Sequence, residues 1–383
     1  MKTKKKLRIA FITNNYTPYQ GGVAQAVTAT VHELQKEGHD VRIITLDFLG
    51  TTEKDQPYVW RVPCPIRFQR KKNWIAIPWR RTHYIKNYLT SFDPHIVHLH
   101  HPFLLGQTGM QVARSMGVPT VFTYHTIYTA YAHYVPLPQA ITRFFIRRIV
   151  PHFCNRVDRV IAPSSAIQQL LHDARVHTPS QVIPSPIREH FFDNQAEPTP
   201  HNQPLRLLYV GRFAKEKNLP FILDALAVLK TSQPVSCLFV GYGPDYDEFK
   251  QQVQDEQTRL GQNKVEFIHK PPLEKLIQLY RNADLFLFPS TTDTQALVLA
   301  EAMASGTPVI AVPGPGQSDI IRHHFNGFFA ETPADMAQRI TQLDYDRPFL
   351  ATLARNAINT AQRYQPTVTV GKLLELYAQL LGS

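Results

Sequence analysis

The sequence predicts an α/β fold made of two Rossmann-like, doubly wound parallel-sheet domains. Three observations lead there. The chain has 383 residues, about twice the usual length of one domain. Short apolar runs alternate with amphipathic helical patterns, as in parallel strands covered on both faces. The chain also opens twice in the same way: Leu7–Ile12 is an apolar run followed by a polar, Gly-containing stretch and a helical pattern, and Leu205–Val210 repeats the design. Two such domains facing each other would put ligands in a cleft at the C-terminal strand ends.

Taken in order, the first domain (1–195) carries strand patterns at Leu7–Ile12, Val41–Leu46, Ile96–Leu99, Thr120–Tyr124 and Arg159–Ala162, with a helix from about Ala24 to Gly38. Three prolines and little apolar content between Asn194 and Pro204 place a linker at 196–204. The second domain (205–363) continues with Ser236–Val240, Val265–His269, Leu285–Phe288 and Pro308–Val312, and a helix from about Asn218 to Lys230. Residues 364–383 read as an amphipathic helix. Periodicity leaves open whether it packs on its own domain or crosses back to the first.

Composition narrows the class. With 43% hydrophobic and 19% charged residues the chain is globular, not collagen-like, coiled-coil or disordered. Cys64, Cys154 and Cys237 are odd in number and widely spaced, which argues against a disulfide framework or structural zinc and for a reducing cytoplasm. No apolar run nears the roughly 18–20 residues that span a bilayer. The basic N-terminus superficially resembles a signal peptide, but Arg8 interrupts its short apolar stretch and no small-residue cleavage site follows, so a buried first strand is the reading.

Charge is the most informative composition fact. The formal net charge is +11, yet residues 1–195 hold 24 Lys and Arg against 11 Asp and Glu, a balance of +13, while the remainder stands at −2. Between Asp55 and Asp158 only Asp93 is acidic, against 13 basic residues. Such a field calls for an anionic partner: nucleic acid, an acidic membrane surface or a phosphorylated substrate.

Two segments carry chemistry. Gly211-Arg212-Phe213-Ala214-Lys215-Glu216-Lys217-Asn218 leaves a strand and enters a helix, where backbone N–H groups favour an anion and Arg212 and Lys217 can neutralise two phosphates. Pro289-Ser290-Thr291-Thr292-Asp293-Thr294-Gln295-Ala296-Leu297-Val298-Leu299-Ala300-Glu301 follows a strand and opens a helix. Asp293 in the loop and Glu301 on the helix can touch different parts of one extended ligand.

This second pattern resembles the carboxylate-x7-carboxylate signature of glycosyltransferase family 4, retaining enzymes of the GT-B fold. With the Gly211–Lys217 segment, the Tyr19-Gln20-Gly21-Gly22-Val23 loop and the Val240-Gly241-Tyr242-Gly243-Pro244 turn, the resemblance covers nearly the whole chain. It implies that Arg212 and Lys217 hold a nucleotide-sugar diphosphate, Glu301 the ribose, and Asp293 and His125 the sugar. Gly21 and Gly22 approach the donor from the other domain, and Gln295, Ala296 and Leu297 line it. Arg212, Lys217, Asp293 and His125 are therefore the expected catalytic set. Two departures stand out: Asp293 replaces the family's usual Glu, and Ala296 a common Gly.

No resident cofactor or metal is expected in the donor site. His98, His100 and His101 end a strand with alternation that makes zinc conceivable, but only Asp93 lies near to complete a ligand set. The triplets Asp245-Tyr246-Asp247 and Asp344-Tyr345-Asp346 precede helical patterns, where Asp serves as cap. The scarcity of carboxylates in 56–157 supplies a double displacement poorly. The resemblance implies retention by front-face attack instead.

Basic residues and aromatics interleave at Arg67, Arg70, Lys71, Lys72, Trp74, Trp79, Arg80 and Arg81, in a loop-like, Pro-containing region. Arg143, Arg147 and Arg148 flank Ile141, Phe144, Phe145 and Ile149 at helical spacing; that apolar face could also pack on the sheet. Together with His101 these form the candidate acceptor and membrane set. The expectation is a cytoplasmic hexosyltransferase, peripheral on the inner face of the membrane. Its partners would be a nucleotide-sugar donor (UDP-glucose foremost), an anionic membrane surface and a lipid acceptor, diacylglycerol foremost, giving an α-glycosyl lipid. No nucleic-acid partner is expected, and oligomeric state is unknown. The alternatives are a GDP-mannose- or UDP-sugar-dependent transferase of phosphoinositide or polysaccharide assembly, and a non-catalytic membrane- or RNA-binding relative.

Overall fold

The computed structural model describes residues 6–17, 21–48, 56–70, 73–134, 137–193 and 203–382. The chain divides into two compact units, residues 1–186 with 366–383, and residues 187–365.

The first unit runs β1 (Arg8–Ile12), α1 (Gly22–Lys36), β2 (Asp40–Leu46), β3 (Val59–Val62), β4 (Ile66–Arg70), β5 (Asn73–Ile77), α2 (Arg81–Phe92), β6 (Ile96–Leu99), α3 (Leu105–Ser115), β7 (Thr120–Thr123), α4 (Gln139–Cys154), β8 (Arg159–Ala162), α5 (Ser165–Asp173) and β9 (Ser180–Val182). Its sheet has the order β3-β2-β1-β6-β7-β8-β9, all parallel. Strand side chains alternate between faces. Ile9 and Phe11 therefore join one apolar core and Ala10 and Ile12 the other.

The second unit runs β10 (Arg206–Arg212), α6 (Pro220–Ala227), β11 (Ser236–Tyr242), α7 (Tyr246–Asp255), α8 (Gln257–Leu260), β12 (Lys264–His269), α9 (Leu273–Arg281), β13 (Leu285–Phe288), α10 (Leu297–Ala304), β14 (Val309–Ala311), β15 (Gly327–Phe329), α11 (Pro333–Tyr345) and α12 (Arg347–Ala361). Its parallel sheet has the order β12-β11-β10-β13-β14-β15. In both sheets the order reverses beside the first strand of the unit, the doubly wound pattern.

The last helix, α13 (Pro366–Leu381), belongs to the first unit, which resolves what periodicity left open. Its Val370, Leu373, Leu376 and Tyr377 are buried with Val27, Val31 and Leu34 of α1 on the Ile9–Phe11 face of the sheet. Each such side chain contributes roughly 1.5–3 kcal/mol by leaving water, which explains why the helix settles there. The first unit ends at Pro186, ahead of the expected 195, because Ile187 and Phe191 are already core residues of the second. Where the chain enters and leaves the second unit, the Ile187 N–H donates to the Tyr364 carbonyl at 3.1 Å. Most of the expected linker (196–204) lies outside the described residues.

Three further expectations need correction. The Trp-containing region is no loop: β4 and β5 form an antiparallel hairpin. Asp344 caps nothing ahead of it but ends α11, buried, paired with Arg347 at 2.7 Å and accepting the Ser232 N–H; Asp346 does cap α12, accepting the Phe349 N–H at 3.0 Å. Asp245 stands at the N-cap of α7 without a side-chain capping bond.

Candidate active site

In the second unit, the C-terminal ends of β10 and β11 pack so closely that Gly241 (φ 148°) has no room for a side chain: a Cβ would lie 1.8 Å from the carbonyl oxygen of Gly211, its partner across the sheet. After Arg212 the chain makes a 3-10 turn over Lys215–Lys217, and Asn218 in the left-handed region turns it into α6. This brings Lys217 to the loop that follows β13. Its Nζ donates to both oxygens of Asp293, at 2.7 and 2.8 Å, and lies 5.9 Å from the centroid of the Phe288 ring. The Ser290 hydroxyl donates to Asp293 Oδ2 at 2.5 Å. Asp293 is therefore held at its base by an ammonium and a hydroxyl.

The 293–296 loop is braced from behind. Gly316 lies against it so tightly that a Cβ would come within 2.7 Å of the Asp293 carbonyl oxygen. The buried Gln317 side chain donates to the Ser290 carbonyl at 2.5 Å and to that of Val312 at 3.1 Å. Ala296 closes the loop in the left-handed region (φ 52°) as the N-cap of α10. That conformation explains why glycine suits the position, since any Cβ costs roughly 1–2 kcal/mol there. Gln295 is buried, and Leu297 opens the helix whose first N–H groups favour an anion.

One turn into α10, Glu301 is buried, and Tyr280 of α9 donates its hydroxyl to Oε2 at 2.9 Å. Burial raises the carboxyl to about 7, against the opposing pull of the Tyr280 hydrogen bond and the charge of Arg188. Arg212, Lys217, Asp293, Gln295, Ala296, Leu297 and Glu301 thus all sit at the C-terminal strand ends of one sheet, where α/β folds bind ligands.

The first unit places Gly21 at the N-cap of α1 and Gly22 at its first residue. His125 follows β7, and its Nε2 lies 2.8 Å from Nδ1 of His100. His101 is not at the surface. It is buried and its Nδ1 accepts the Asn14 N–H at 3.1 Å, a structural role. His98 is buried between the Tyr377 and Thr123 hydroxyls. Among the described residues no group of three or more His, Cys, Asp or Glu side chains could hold a metal.

The β4–β5 hairpin pairs Ile66 with Ile77 and Phe68 with Ile75 on one face. Ile66 is 54% exposed, Phe68 43%, Ile77 46%, and nearby Trp79 67%. On the other face Ala76 is buried and Arg67 pairs with Asp47. Arg80 is exposed in the left-handed N-cap of α2, whereas Arg81 donates to the Thr108 hydroxyl at 2.9 Å. Lys71 and Lys72 lie outside the described residues, as do the side chains of Arg70 and Trp74. The apolar face of α4 does not pack on the sheet: Ile141, Phe144, Phe145 and Ile149 are all exposed, with Arg143, Arg147 and Arg148 around them. The Arg148 guanidinium lies 4.4 Å from the Phe144 ring centroid. No helix among the described residues is long and apolar enough to cross a membrane.

Sequence reasoning missed Ser290, Tyr280 and Gln317 as supports of the site. Ser290 stands inside a quoted motif, but its partner depends on the loop's fold. Tyr280 lies 21 residues from Glu301 and carries no local signal.

The two parallel α/β units and the sequence matches together make this chain a glycosyltransferase. The chain belongs to glycosyltransferase family 4, with the GT-B fold, and is a hexosyltransferase: residues 20–190 match "Glycosyltransferase Family 4" and residues 191–361 match "Glycosyl transferases group 1". It is 30% identical to an alpha-monoglucosyldiacylglycerol synthase of Streptococcus pneumoniae, over 88% of this chain and 78% of that one. It is 28% identical to a GDP-mannose-dependent alpha-mannosyltransferase of Mycolicibacterium smegmatis, over 98% of each. Among solved structures, HepE of Anabaena in complex with UDP-glucose superposes with a TM-score of 0.75 at 19% identity, covering 97% of this chain and all of that one. Sucrose-phosphate synthase of Thermosynechococcus elongatus gives 0.79 at 21%, covering 98% and 100%.

Proposed function

We propose that this chain is a retaining glucosyltransferase that moves glucose from UDP-glucose to diacylglycerol at an anionic membrane surface. The observation that carries the lipid acceptor is the pair of exposed apolar faces in the first unit, on the β4–β5 hairpin and on α4, each accompanied by arginines. Aromatics flanked by basic residues suit the headgroup boundary. The relative named an alpha-monoglucosyldiacylglycerol synthase supports the same reading.

In this mechanism Arg212 and Lys217 hold the diphosphate, with the N-terminus of α10 adding its dipole. Lys217 is paired with Asp293, so an incoming diphosphate competes for the ammonium and turns the carboxylate toward the hexose hydroxyls. Glu301 takes the ribose, whose diol prefers the ionised carboxylate. The acceptor hydroxyl attacks the anomeric carbon from the face the diphosphate leaves; its oxygen–carbon bond forms as the carbon–phosphate-oxygen bond breaks, and the leaving phosphate takes the proton. His125 steadies the hexose from the first unit. No metal enters any step.

The GDP-mannose-dependent relative favours a second reading, a mannosyltransferase with the same residue roles. One experiment separates them. The protein is incubated with anionic liposomes containing or lacking diacylglycerol, and with UDP-glucose, UDP-galactose or GDP-mannose. Glucolipid formed only with UDP-glucose and diacylglycerol is the expected result. Mannolipid from GDP-mannose supports the second reading, and donor turnover independent of diacylglycerol sinks the lipid acceptor.

A further inference from the structure

Behind His125 the first unit holds a stack of aromatic rings that ends on the last helix of the chain. Strand alternation builds it. Ile96 and Val121 face the core under α1 and α13, so the residues two and four positions on, His98 in β6 and His100 just after it, and Thr123 in β7 and His125 just after it, continue along that face. The Phe11 ring lies 4.9 Å from His98 and 5.0 Å from His100. His98 stacks on His100 at 4.5 Å, and His100 on His125 at 5.1 Å with 23° between planes. His98 is bound at both nitrogens: Nδ1 is 2.6 Å from the Tyr377 hydroxyl of α13 and Nε2 is 2.7 Å from the Thr123 hydroxyl. A cavity of about 30 Å³ borders His98, His100 and His125.

The geometry points to His100 as the positioning residue of His125, with Tyr377 acting one step further back by locking His98 against the His100 ring. This rests on the proposed placement of His125 at the transferring hexose. The 2.8 Å bond between His100 Nδ1 and His125 Nε2 has one proton, and burial decides which ring supplies it. His100 Nε2 is buried with no hydrogen-bond partner among the described residues. An N–H there would be an orphaned donor, the costlier arrangement. The proton of His100 is therefore on Nδ1 and is donated to His125 Nε2, which leaves the proton of His125 on Nδ1. Whatever Nδ1 of His125 meets, it meets as a donor. Burial also keeps the rings uncharged: it lowers His98 and His125 to about 3 and holds His100 well below its ordinary range. Tautomer, not charge, is the variable that the stack controls, and α13 must be seated for the stack to be complete.

The test combines imidazole nitrogen NMR on the full chain, labelled at histidine, with steady-state transfer kinetics. The His125 signals, assigned by their loss in His125→Ala, should show a protonated Nδ1 and a bare Nε2. His100→Phe keeps the ring stack and removes the nitrogen. It should mix the His125 tautomers and lower kcat ten- to fiftyfold, with donor KM within twofold. His100→Asn, whose amide nitrogen stands where Nδ1 stood, should restore the single tautomer and at least a third of kcat. Tyr377→Phe should cost two- to fivefold in kcat. Parental kcat in His100→Phe, or a protonated Nε2 on His125 in the parent, overturns the inference; the parent spectrum decides even if the variant fails to fold. Parental transfer in His125→Ala sinks the role of His125 itself. An inactive His125→Ala beside a fully active His100→Phe sinks the positioning inference alone.

Discussion

Lys217 Nζ and the Asp293 carboxylate form a two-pronged ion pair, 2.7 and 2.8 Å long, in the loop that carries the second unit's site. The residue expected to hold the diphosphate and the residue expected to hold the hexose are therefore bound to each other. Both side chains are largely shielded, 12% and 20% exposed, so water screens the pair little, and removing either partner leaves the other charge uncompensated.

Breaking that pair from its two ends should have opposite effects on nucleoside diphosphate binding. Asp293→Asn releases Lys217, and UDP binding measured by calorimetry should tighten roughly three- to tenfold while hexose transfer falls at least about a hundredfold. Lys217→Ala should weaken UDP binding and transfer together. Weaker UDP binding in Asp293→Asn would show that the pair does not compete with the diphosphate.

Glu301 should give donor binding a pH dependence near neutrality. Its carboxyl is raised to about 7, and the ionised form is the one suited to a ribose diol. Donor KM should therefore rise as pH falls from 8 to 6. The Tyr280 hydrogen bond opposes the upward shift, so Tyr280→Phe should move the inflection to higher pH. Stability runs the other way: the folded chain retains a proton that the unfolded chain releases above about 4.5, so this group weakens the fold as pH rises from 4.5 to 7. Glu301→Gln should then raise the melting temperature at pH 8 more than at pH 5, while donor binding is lost.

Ala296 is buried and left-handed at the start of α10. Replacing it by glycine removes the Cβ conflict, worth about 1–2 kcal/mol, at an entropic cost of about 0.5–1 kcal/mol. Ala296→Gly should stabilise the chain by about 0.5–1 kcal/mol in denaturant titration, with transfer retained. A loss of stability would mean that the Ala296 methyl packs better than its backbone is strained.

The exposed apolar faces should matter at a membrane and not to the fold. Phe68→Ser with Trp79→Ser, and separately Phe144→Ser with Phe145→Ser, should leave the melting temperature within about 2 °C because these side chains are largely outside the core. Sedimentation with anionic vesicles should fall in both. Changing Arg143, Arg147 and Arg148 to Gln should remove about 1 kcal/mol each, near two decades of affinity in total, and less at high salt. Unchanged sedimentation in all three variants would remove the membrane reading.

Much of the fold was legible because buried parallel strands announce themselves. β1, β2, β6, β7, β8, β10, β11, β12, β13 and β14 fall on the apolar runs read from sequence. Three of the four edge strands did not. β3 (Val59–Val62), β9 (Ser180–Val182) and β15 (Gly327–Phe329) are three or four residues long and lack a distinctive run. A strand at an edge needs only one neighbour and little apolar content. The hairpin escaped notice for another reason: its outward face is apolar, so the usual alternation of buried apolar and exposed polar residues is replaced by Ile66 and Phe68 facing water.

Residue type and spacing along single elements set the class of fold, the positions of the motif residues and the basic balance of the first half. Tertiary structure alone decided which groups touch. It seated α13 on α1, paired Lys217 with Asp293, set Tyr280 under Glu301 and aligned Tyr377, His98, His100 and His125. The physical reason is separation: Tyr377 and His98 are 279 residues apart, and no local pattern encodes a bond between side chains that meet only when two distant elements bury the same face of one sheet.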